Sequence, residues 1–367
     1  MTSKDDIKLL LLNKKEEELL QLLEKEKKSI SELLIGIATD DTEWKIRRDA
    51  VKILGKGGIE QSIDLLGNIL LKDHLTVMRK NAAKALGSIE NPESKKPLLE
   101  ALKTSKDPSI IIEVAKALGN LKVNEAVDPL IKMLESSKDG EIRENVAESL
   151  GLIGNPKALD PLLKIMKSDK EDWVRGQAAE ALGLIGDTKV VPDLISTLEK
   201  DTGISVSVKT ATALGRLKDS QAVDSLISFL QKGQNVENRR ALAYALGEIG
   251  DKKAAEVFLD LLTDEDETVR YWSCLSLGFM KYKRAANPIL DVLKDDSSIR
   301  VRRIAALSVG QLVPKTKKCV KMLLESLEKE EDDDVKEKIM RTMIRIAKEQ
   351  GYKDEKDMIK KMEIDTE

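Results

Sequence analysis

The sequence predicts an all-α fold, an α-solenoid in which about nine to ten helix pairs stack into a right-handed superhelix. The main observation is a glycine that recurs at 32-residue steps, with one step of 31, across most of the 367 residues. A period of this length is typical of stacked supersecondary units. Composition agrees, because 35% of residues are charged and only 3% are aromatic, as in long solvated helices with small aliphatic contacts. The marker glycines are Gly55, Gly87, Gly119, Gly151, Gly183, Gly215, Gly247, Gly278 and Gly310.

One repeat, residues 155–186, shows the unit. Asn155-Pro156 marks a turn before a first helix, whose apolar residues recur at helical spacing until Ser168. A second helix then begins near Asp172 and carries alanines that allow close packing. Gly183 lies within or near the end of this helix, where we expect close packing, and Gly186 is the better candidate for its end, as are Gly154 and Gly250 in their repeats. Each helix pair needs its neighbours to bury its apolar face.

Composition also limits the classes of function. Lys plus Arg number 62 against 65 for Asp plus Glu, a net charge of −3, which makes nucleic acid an unfavoured partner. Cys274 and Cys319 are too few for a disulfide framework. The start of the chain does not read as a signal peptide, and no apolar run is long enough to span a membrane. We therefore expect a cytoplasmic protein.

The second helix gives a family resemblance. Residues 174–186, VRGQAAEALGLIG, resemble the short HEAT repeats that also occur in phycobilisome-lyase-like proteins, and Ile142-Arg143, Val269-Arg270 and Val301-Arg302 match the same opening. The resemblance covers roughly residues 30–349, with a degenerate tenth second helix from Val335. We accordingly divide the chain into an N-terminal helical cap (1–29), a HEAT-like solenoid (30–349) and a charged C-terminal tail (350–367).

An arginine stands eight residues before most marker glycines. The resemblance implies that it pairs with an acidic residue near the inter-helix turn, for which Asp139, Asp172 and Asp266 are suitably placed. Such a ladder would stiffen the stack; the alternative is a track for a polyanion. Ile111 and Ser207 interrupt the series, and we predict that the sixth repeat, around Ser207, is the most deformable. The ladder comprises Arg47, Arg79, Arg143, Arg175, Arg239, Arg270 and Arg302.

Two positions of the second helix, six and three residues before the glycine, are predicted to face solvent on the concave surface. The second of these columns begins with lysines, continues with glutamates and becomes apolar or aromatic in the last repeats. The apolar end is either an exposed anchoring patch or part of a wider core, and the lysines are either a site for an acidic peptide or a phosphate backbone or simply solvated. The candidate partner-binding residues are Tyr244, Tyr271, Trp272, Leu275, Phe279, Ile304, Leu307, Lys52, Lys84 and Lys116.

Catalytic chemistry finds little support in the sequence. His74 is the only histidine, so a multi-histidine metal site is impossible; deoxyhypusine hydroxylases, which share the repeat type but need several His-Glu pairs, are excluded. We predict no catalytic, cofactor-binding or metal-binding residue. The leading interpretation is a non-enzymatic scaffold or adaptor that binds a protein or peptide along its concave face. The alternatives are a bilin-lyase-like or chaperone-like protein and a nucleic-acid-binding helical-repeat protein.

Overall fold

The computed structural model describes residues 2–312, 316–362 and 364. Within these ranges it contains twenty-three α-helices, eight single-turn 3-10 helices and no strand, which confirms the all-α solenoid. The chain divides into two compact units, the first ending at Asp187 and the second beginning at Thr188. Most helices form pairs, in which a first helix is joined by a short turn to a second helix that contains the marker glycine.

Unit 1 holds two N-terminal helices followed by five helix pairs. The N-terminal helices are α1 (Lys4–Leu12) and α2 (Glu16–Lys25). The first helices of the pairs are α3 (Lys27–Asp40), α5 (Ile63–Lys72), α7 (Lys95–Thr104), α9 (Val127–Ser136) and α11 (Leu159–Ser168). The second helices are α4 (Trp44–Lys56), α6 (Thr76–Ser88), α8 (Pro108–Asn120), α10 (Gly140–Ile153) and α12 (Asp172–Ile185).

Unit 2 holds five more pairs and a terminal helix. Its first helices are α13 (Val191–Lys200), α15 (Val223–Leu230), α17 (Ala255–Leu261), α19 (Ala286–Asp295) and α21 (Lys317–Lys329). Its second helices are α14 (Ile204–Leu217), α16 (Val236–Ile249), α18 (Glu267–Phe279), α20 (Ile299–Leu312) and α22 (Asp333–Glu349). The last of these is the predicted tenth second helix. Within the segment expected to be a charged tail lies α23 (Glu355–Lys361), whose Met358 is buried.

The marker glycines are sites of close helix packing. A Cβ atom on Gly55 would lie 2.5 Å from the Cα of Ala85, and one on Gly87 would lie 2.7 Å from the Cβ of Ala117. Both neighbours stand two residues before the next marker glycine, so α4 touches α6 and α6 touches α8 at the same place. The apolar residue before the glycine, such as Leu86, is completely buried. The 32-residue period therefore records the contact between successive second helices.

Several second helices end in a left-handed residue. Gly154, Gly186 and Gly250 take this conformation, with φ of 75°, 82° and 70°, which confirms them as helix-ending positions. Lys218 and Lys281 adopt φ of 54° and 51° at the equivalent ends of α14 and α18. Side chains with a Cβ atom resist this conformation, so these two lysines occupy positions at which glycine fits better.

Candidate interaction surfaces on the second helices

Within each unit, arginines of the ladder tie several repeats to the next. Nε and Nη2 of Arg143 donate to the carboxylate of Asp169 at 2.6 and 2.8 Å, while Nη1 donates to the carbonyl of Ser137 at 3.1 Å. Ser137 belongs to the turn of the same repeat and Asp169 to the turn of the following one. Arg143 thus joins its own turn to that of its neighbour through a bidentate ion pair. Arg239, Arg270 and Arg302 do the same, whereas Arg47 reaches the next turn through Nη2 alone. The other ion pairs with the next turn are Arg47–Asp73, Arg239–Asp264, Arg270–Asp296 and Arg302–Glu330.

The acidic partners inferred from the resemblance were wrong. Asp139 accepts hydrogen bonds from the backbone N–H groups at the start of its own helix, and Asp266 does the same while it also binds Arg240. Asp172 opens α12 and bonds to no ladder arginine in the described chain. The free N–H groups at a helix start attract the nearest carboxylate, whereas the arginine side chain extends towards the next repeat. The true partner therefore lies about one repeat further along the sequence.

Ion pairing lowers the pKa values of two acidic groups of the ladder, Glu330 and Asp169. Hydrogen bonds from Arg302 hold the pKa of Glu330 below its ordinary value, although burial opposes the shift. At Asp169 burial acts to raise the pKa, but the hydrogen bonds from Arg143 and from the N–H of Glu171 outweigh it, and the pKa is lowered. Asp41 occupies the corresponding turn of the first repeat, and Lys8 of α1 pairs with it at 2.6 Å. The N-terminal helix therefore supplies a cation in place of the missing arginine.

The interruptions of the ladder have different structures. At the sixth repeat the Ser207 hydroxyl donates to Asn238 Oδ1 at 2.7 Å, and Asn238 Nδ2 donates to Gln234 Oε1 at 3.0 Å. A neutral hydrogen-bonded chain thus replaces the ion pair. Arg79 donates through Nε to the carbonyl of Leu70 at 2.7 Å. It forms no ion pair with the next turn among the described residues, because Ser105 holds the position of the acid there.

The structure separates the two columns that the sequence treated as equally exposed. Three residues before the glycine, Lys52, Lys84, Lys116 and Leu307 are exposed and Tyr244 and Leu275 are half-buried. Six residues before it, every side chain is buried or half-buried. In this column, six residues before the glycine, Asn145, Gln177, Ala241 and Ile304 are buried, so the expectation that the column faces solvent was wrong. Ile304, one of the candidate partner-binding residues, is only 8% exposed and therefore does not belong to an exposed surface.

A basic groove lies in unit 1, between the second helices α4, α6 and α8. We define it by Lys52, Lys56, Lys84 and Lys116, with Glu16 and Glu113 as the acidic residues of its lining. Lys56 pairs with Glu16, and Lys84 lies 3.4 Å from Glu113. Lys116 forms no ion pair with any residue the structure describes. The sequence prediction missed Lys56, which stands one residue after Gly55 and one helical turn after Lys52.

The groove continues into an apolar depression beside α1 and α2. Lys52 lines both. The depression has a volume of about 290 Å³, and its apolar lining is formed by Leu10, Leu11, Leu19 and Ile53. Its cationic rim includes Lys14 and Arg48. Lys14 had no signal in the 32-residue period because α1 and α2 precede the repeats, whereas Arg48 lies in α4, one residue after Arg47.

An aromatic surface lies in unit 2, on α16, α18 and α20. We define it by Tyr244, Tyr271, Trp272, Leu275, Phe279 and Leu307. The rings of Tyr244 and Tyr271 meet Trp272 edge to face, with centroids 5.2 and 5.9 Å from it. The guanidinium of Arg300 stacks on Tyr271 at 4.3 Å. The three rings are half-buried, and Phe279 and Leu307 are 67% and 38% exposed.

The aromatic surface is therefore neither wholly exposed nor part of the core. Phe279 and Leu307 occupy the repeat positions of Lys56 and Lys84, which line one groove, and so the repeat places them on adjacent helices of one face. Tyr244 and Trp272 of this surface also line a shallow depression together with Arg240. Arg240 is held by both carboxylate oxygens of Asp266.

The two cysteines and the histidine are not part of the basic groove or the aromatic surface. Cys274 is completely buried, and burial raises the pKa of its thiol strongly. Cys319 is also buried, beside Thr316. The imidazole of His74 is exposed, 3.7 Å from Asp73. Among the described residues no group of three His, Cys, Asp or Glu side chains is placed to hold a metal ion, and no described helix is long and apolar enough to cross a membrane.

Comparison with known proteins identifies the family. A profile of HEAT repeats matches residues 31–112, 96–183, 160–237 and 223–310. The match covers well over half of the sequence, and the chain belongs to the HEAT-repeat family. No significant match was found among curated protein sequences.

Solved structures resemble the chain at the level of the fold. Yeast importin-β (Kap95p) is 14% identical, with a TM-score of 0.59, and the alignment covers 88% of this chain and 51% of that one. The Kap95p structure in which it binds RanGDP gives 13% identity, a TM-score of 0.59 and coverage of 92% and 52%. The complex of CpcE and CpcF of phycocyanin lyase from Nostoc sp. PCC7120 is 25% identical, with a TM-score of 0.42 and coverage of 66% and 91%. The chain spans about half the length of importin-β.

Proposed function

We propose that this protein is a non-enzymatic scaffold or adaptor that binds a partner protein through the aromatic surface of unit 2. The observation that carries the proposal is the exposure of Phe279 and Leu307 beside three interlocked rings. The described chain has only ten aromatic residues, and four of them are in this surface. Exposed apolar side chains grouped on one face are typical of interaction sites, and Trp, Tyr and Arg are the residues that most often dominate binding energy.

The geometry favours a preformed site. Edge-to-face contacts fix the rings of Tyr244 and Trp272 before any partner arrives, so little side-chain entropy is lost on binding. Arg240 and Arg300 border the rings and can orient an acidic group of the partner. A non-enzymatic role is further supported by the burial of Cys274 and Cys319, which withholds both thiols from substrates.

The fold supports the same proposal. Kap95p, a solenoid of similar fold, binds RanGDP. That likeness extends to the architecture alone.

Affinity purification with substituted baits tests the proposal. Trp272 is a poor position for the test, because its ring lies 3.4 Å from the position of a Cβ atom on Gly247 and truncation would disturb helix packing. The better bait combines Phe279→Ala with Leu307→Ala, since both side chains project into solvent. We expect a partner retained by the wild-type protein to be lost from this bait, as measured by quantitative mass spectrometry.

A matched control removes two leucines elsewhere in the chain. Leu9 and Leu12 of α1 are 58% and 57% exposed, and their double alanine variant should retain the partner. Equal retention by both variants, or equal loss from both, would contradict a binding role for the aromatic surface.

A further inference from the structure

The basic groove of unit 1 is a second surface with its own chemistry. Its lining contains four lysines against two glutamates, in a chain whose net charge is −3. Lys52, Lys84 and Lys116 occupy the same position of three successive second helices, and all three are exposed. We propose that this groove binds an acidic, extended segment of a partner protein.

The spacing of the lysines defines the segment. Packed helices lie about 8–10 Å apart, so equivalent lysines on successive helices repeat at about that distance. A polyproline II chain has three residues per turn and rises about 3.1 Å per residue, which brings every third side chain to the same side at intervals of about 9 Å. Carboxylates at every third position of such a chain therefore match Lys52, Lys84 and Lys116 in turn.

One end of the segment carries an apolar side chain. Beyond Lys52 the groove opens into the depression lined by Leu10, Leu19 and Ile53. Its volume of about 290 Å³ accommodates a side chain of the size of leucine. Lys14 and Lys15 line the depression as well, while Arg48 is paired with Asp49.

The lining favours a peptide over a nucleic acid. Single strands are bound by basic grooves whose aromatic side chains stack on the bases, and the groove lining contains no aromatic residue. Glu113 and Glu16 interrupt the positive charge, which a regular phosphate backbone tolerates less well than a peptide with spaced carboxylates. After Lys116 the column continues with Glu148 and Glu180, so the basic stretch ends after three repeats.

A synthetic peptide tests the inference. The probe is a fluorescein-labelled peptide with leucine first and glutamate at every third position after it, separated by Pro-Ser. Its binding to the full-length protein is measured by fluorescence anisotropy. We expect the spaced peptide to bind at least tenfold more tightly than a peptide of the same composition with consecutive glutamates, and replacement of its leucine by serine to weaken binding severalfold.

Charge reversals in the protein provide the matched comparison. Lys84→Glu with Lys116→Glu should raise the Kd of the spaced peptide at least tenfold. Lys157→Glu with Lys164→Glu makes the same change in net charge at two exposed lysines outside the groove, and should change the Kd less than twofold. If the first pair fails to fold by circular dichroism, the Lys84→Gln and Lys116→Gln pair replaces it with the same expectation.

Three results would overturn the proposal: equal weakening by the two reversals, equal affinity for the spaced and consecutive peptides, or tighter binding of an oligothymidine of equal length that is lost in the Lys84 and Lys116 variant. The last would assign the groove to nucleic acid. The variant with Phe279→Ala and Leu307→Ala should bind the peptide normally, so the groove and the aromatic surface can fail independently.

Discussion

At the scale of single residues, the structure turns the arginine ladder into a set of measurable links. Arg143 and Asp169 form a buried, bidentate pair with side-chain exposures of 8% and 4%. Arg143→Ala removes this link and leaves Asp169 buried without its cation, a change that costs about 3 kcal/mol in the free energy of unfolding. Urea denaturation of the variant measures the loss.

Arg79 is the internal control for this prediction. It makes one hydrogen bond to a carbonyl, and the next turn holds Ser105 at the position that Asp169 occupies for Arg143, so Arg79→Ala should cost only about 1 kcal/mol. Equal losses for the two variants would show that the ion pair with the following turn contributes little.

The marker glycines give a second prediction at this scale. Gly87→Ala should destabilise the protein, because the new Cβ would lie 2.7 Å from Ala117 and overpacking costs about 1–3 kcal/mol. Gly36 is also helical, in α3, but nothing lies within 4 Å of its Cβ position. Gly36→Ala should therefore stabilise by up to about 1 kcal/mol. Thermal denaturation of both variants tests the pair, and stabilisation by both would contradict the packing role.

The sequence predicted the positions of these residues but not all of their contacts. The period identified Arg143 and Gly87 directly. It could not identify Asp169, because an acid in the same repeat and one in the next satisfy a spacing argument equally well. Only the direction of the side chain, which points towards the next repeat, distinguishes them.

At the scale of helices and turns, acid should weaken the links between repeats. Asp169 and Glu330 have pKa values below their ordinary values of 3.8 and 4.5 in the folded protein. A carboxylate with a lowered pKa contributes stability above its ordinary value, and that stability is lost as the pH falls through the lowered one. The free energy of unfolding should thus be nearly constant from pH 7 to about 5 and fall below about pH 4.

The ladder variants separate this effect from general acid unfolding. In the Arg302→Ala protein the pKa of Glu330 loses its main cause of lowering, so the additional loss of stability on acidification should be smaller than in the wild type. A parallel decline of both proteins with pH would exclude this pair as a source of the acid sensitivity.

The sixth repeat is the other feature of this scale. Ser207, Asn238 and Gln234 form neutral hydrogen bonds where repeats such as the eighth, with Arg270 and Asp296, have an ion pair, and neutral bonds are about half as strong as charge-assisted ones. We expect the amides of α14 to exchange with deuterium faster than those of α18, whose Arg270 pairs with Asp296. Exchange at equal rates would remove the prediction that this repeat is the most deformable.

Sequence periodicity predicted the second helices well and their exposed faces only in part. The positions three residues before the glycine include the exposed Lys84 and Leu307. Those six residues before it, such as Ile304 and Gln177, are buried. A helical period gives the angle of a side chain around its own axis, but the distance to the next helix decides whether that side chain meets solvent.

At the scale of the whole molecule, each unit presents a distinct surface on its second helices. Unit 1 carries the basic groove around Lys84, and unit 2 carries the aromatic surface around Trp272. The sequence predicted the order of these chemistries along the chain. It could not predict that the three rings would interlock or that α1 and α2 would add an apolar depression to the groove, because both features depend on contacts between elements.

Site-specific photo-crosslinking tests most directly whether the second-helix face of unit 2 binds a partner. A photoreactive phenylalanine analogue placed at Phe279, and separately at Lys294 on the first helix α19, reports which face touches another protein in cells. Both positions are exposed and lie in the same unit. We predict a discrete crosslinked protein from position 279 and none from position 294. Crosslinking of the same protein equally from both positions, or from position 294 alone, would contradict the account.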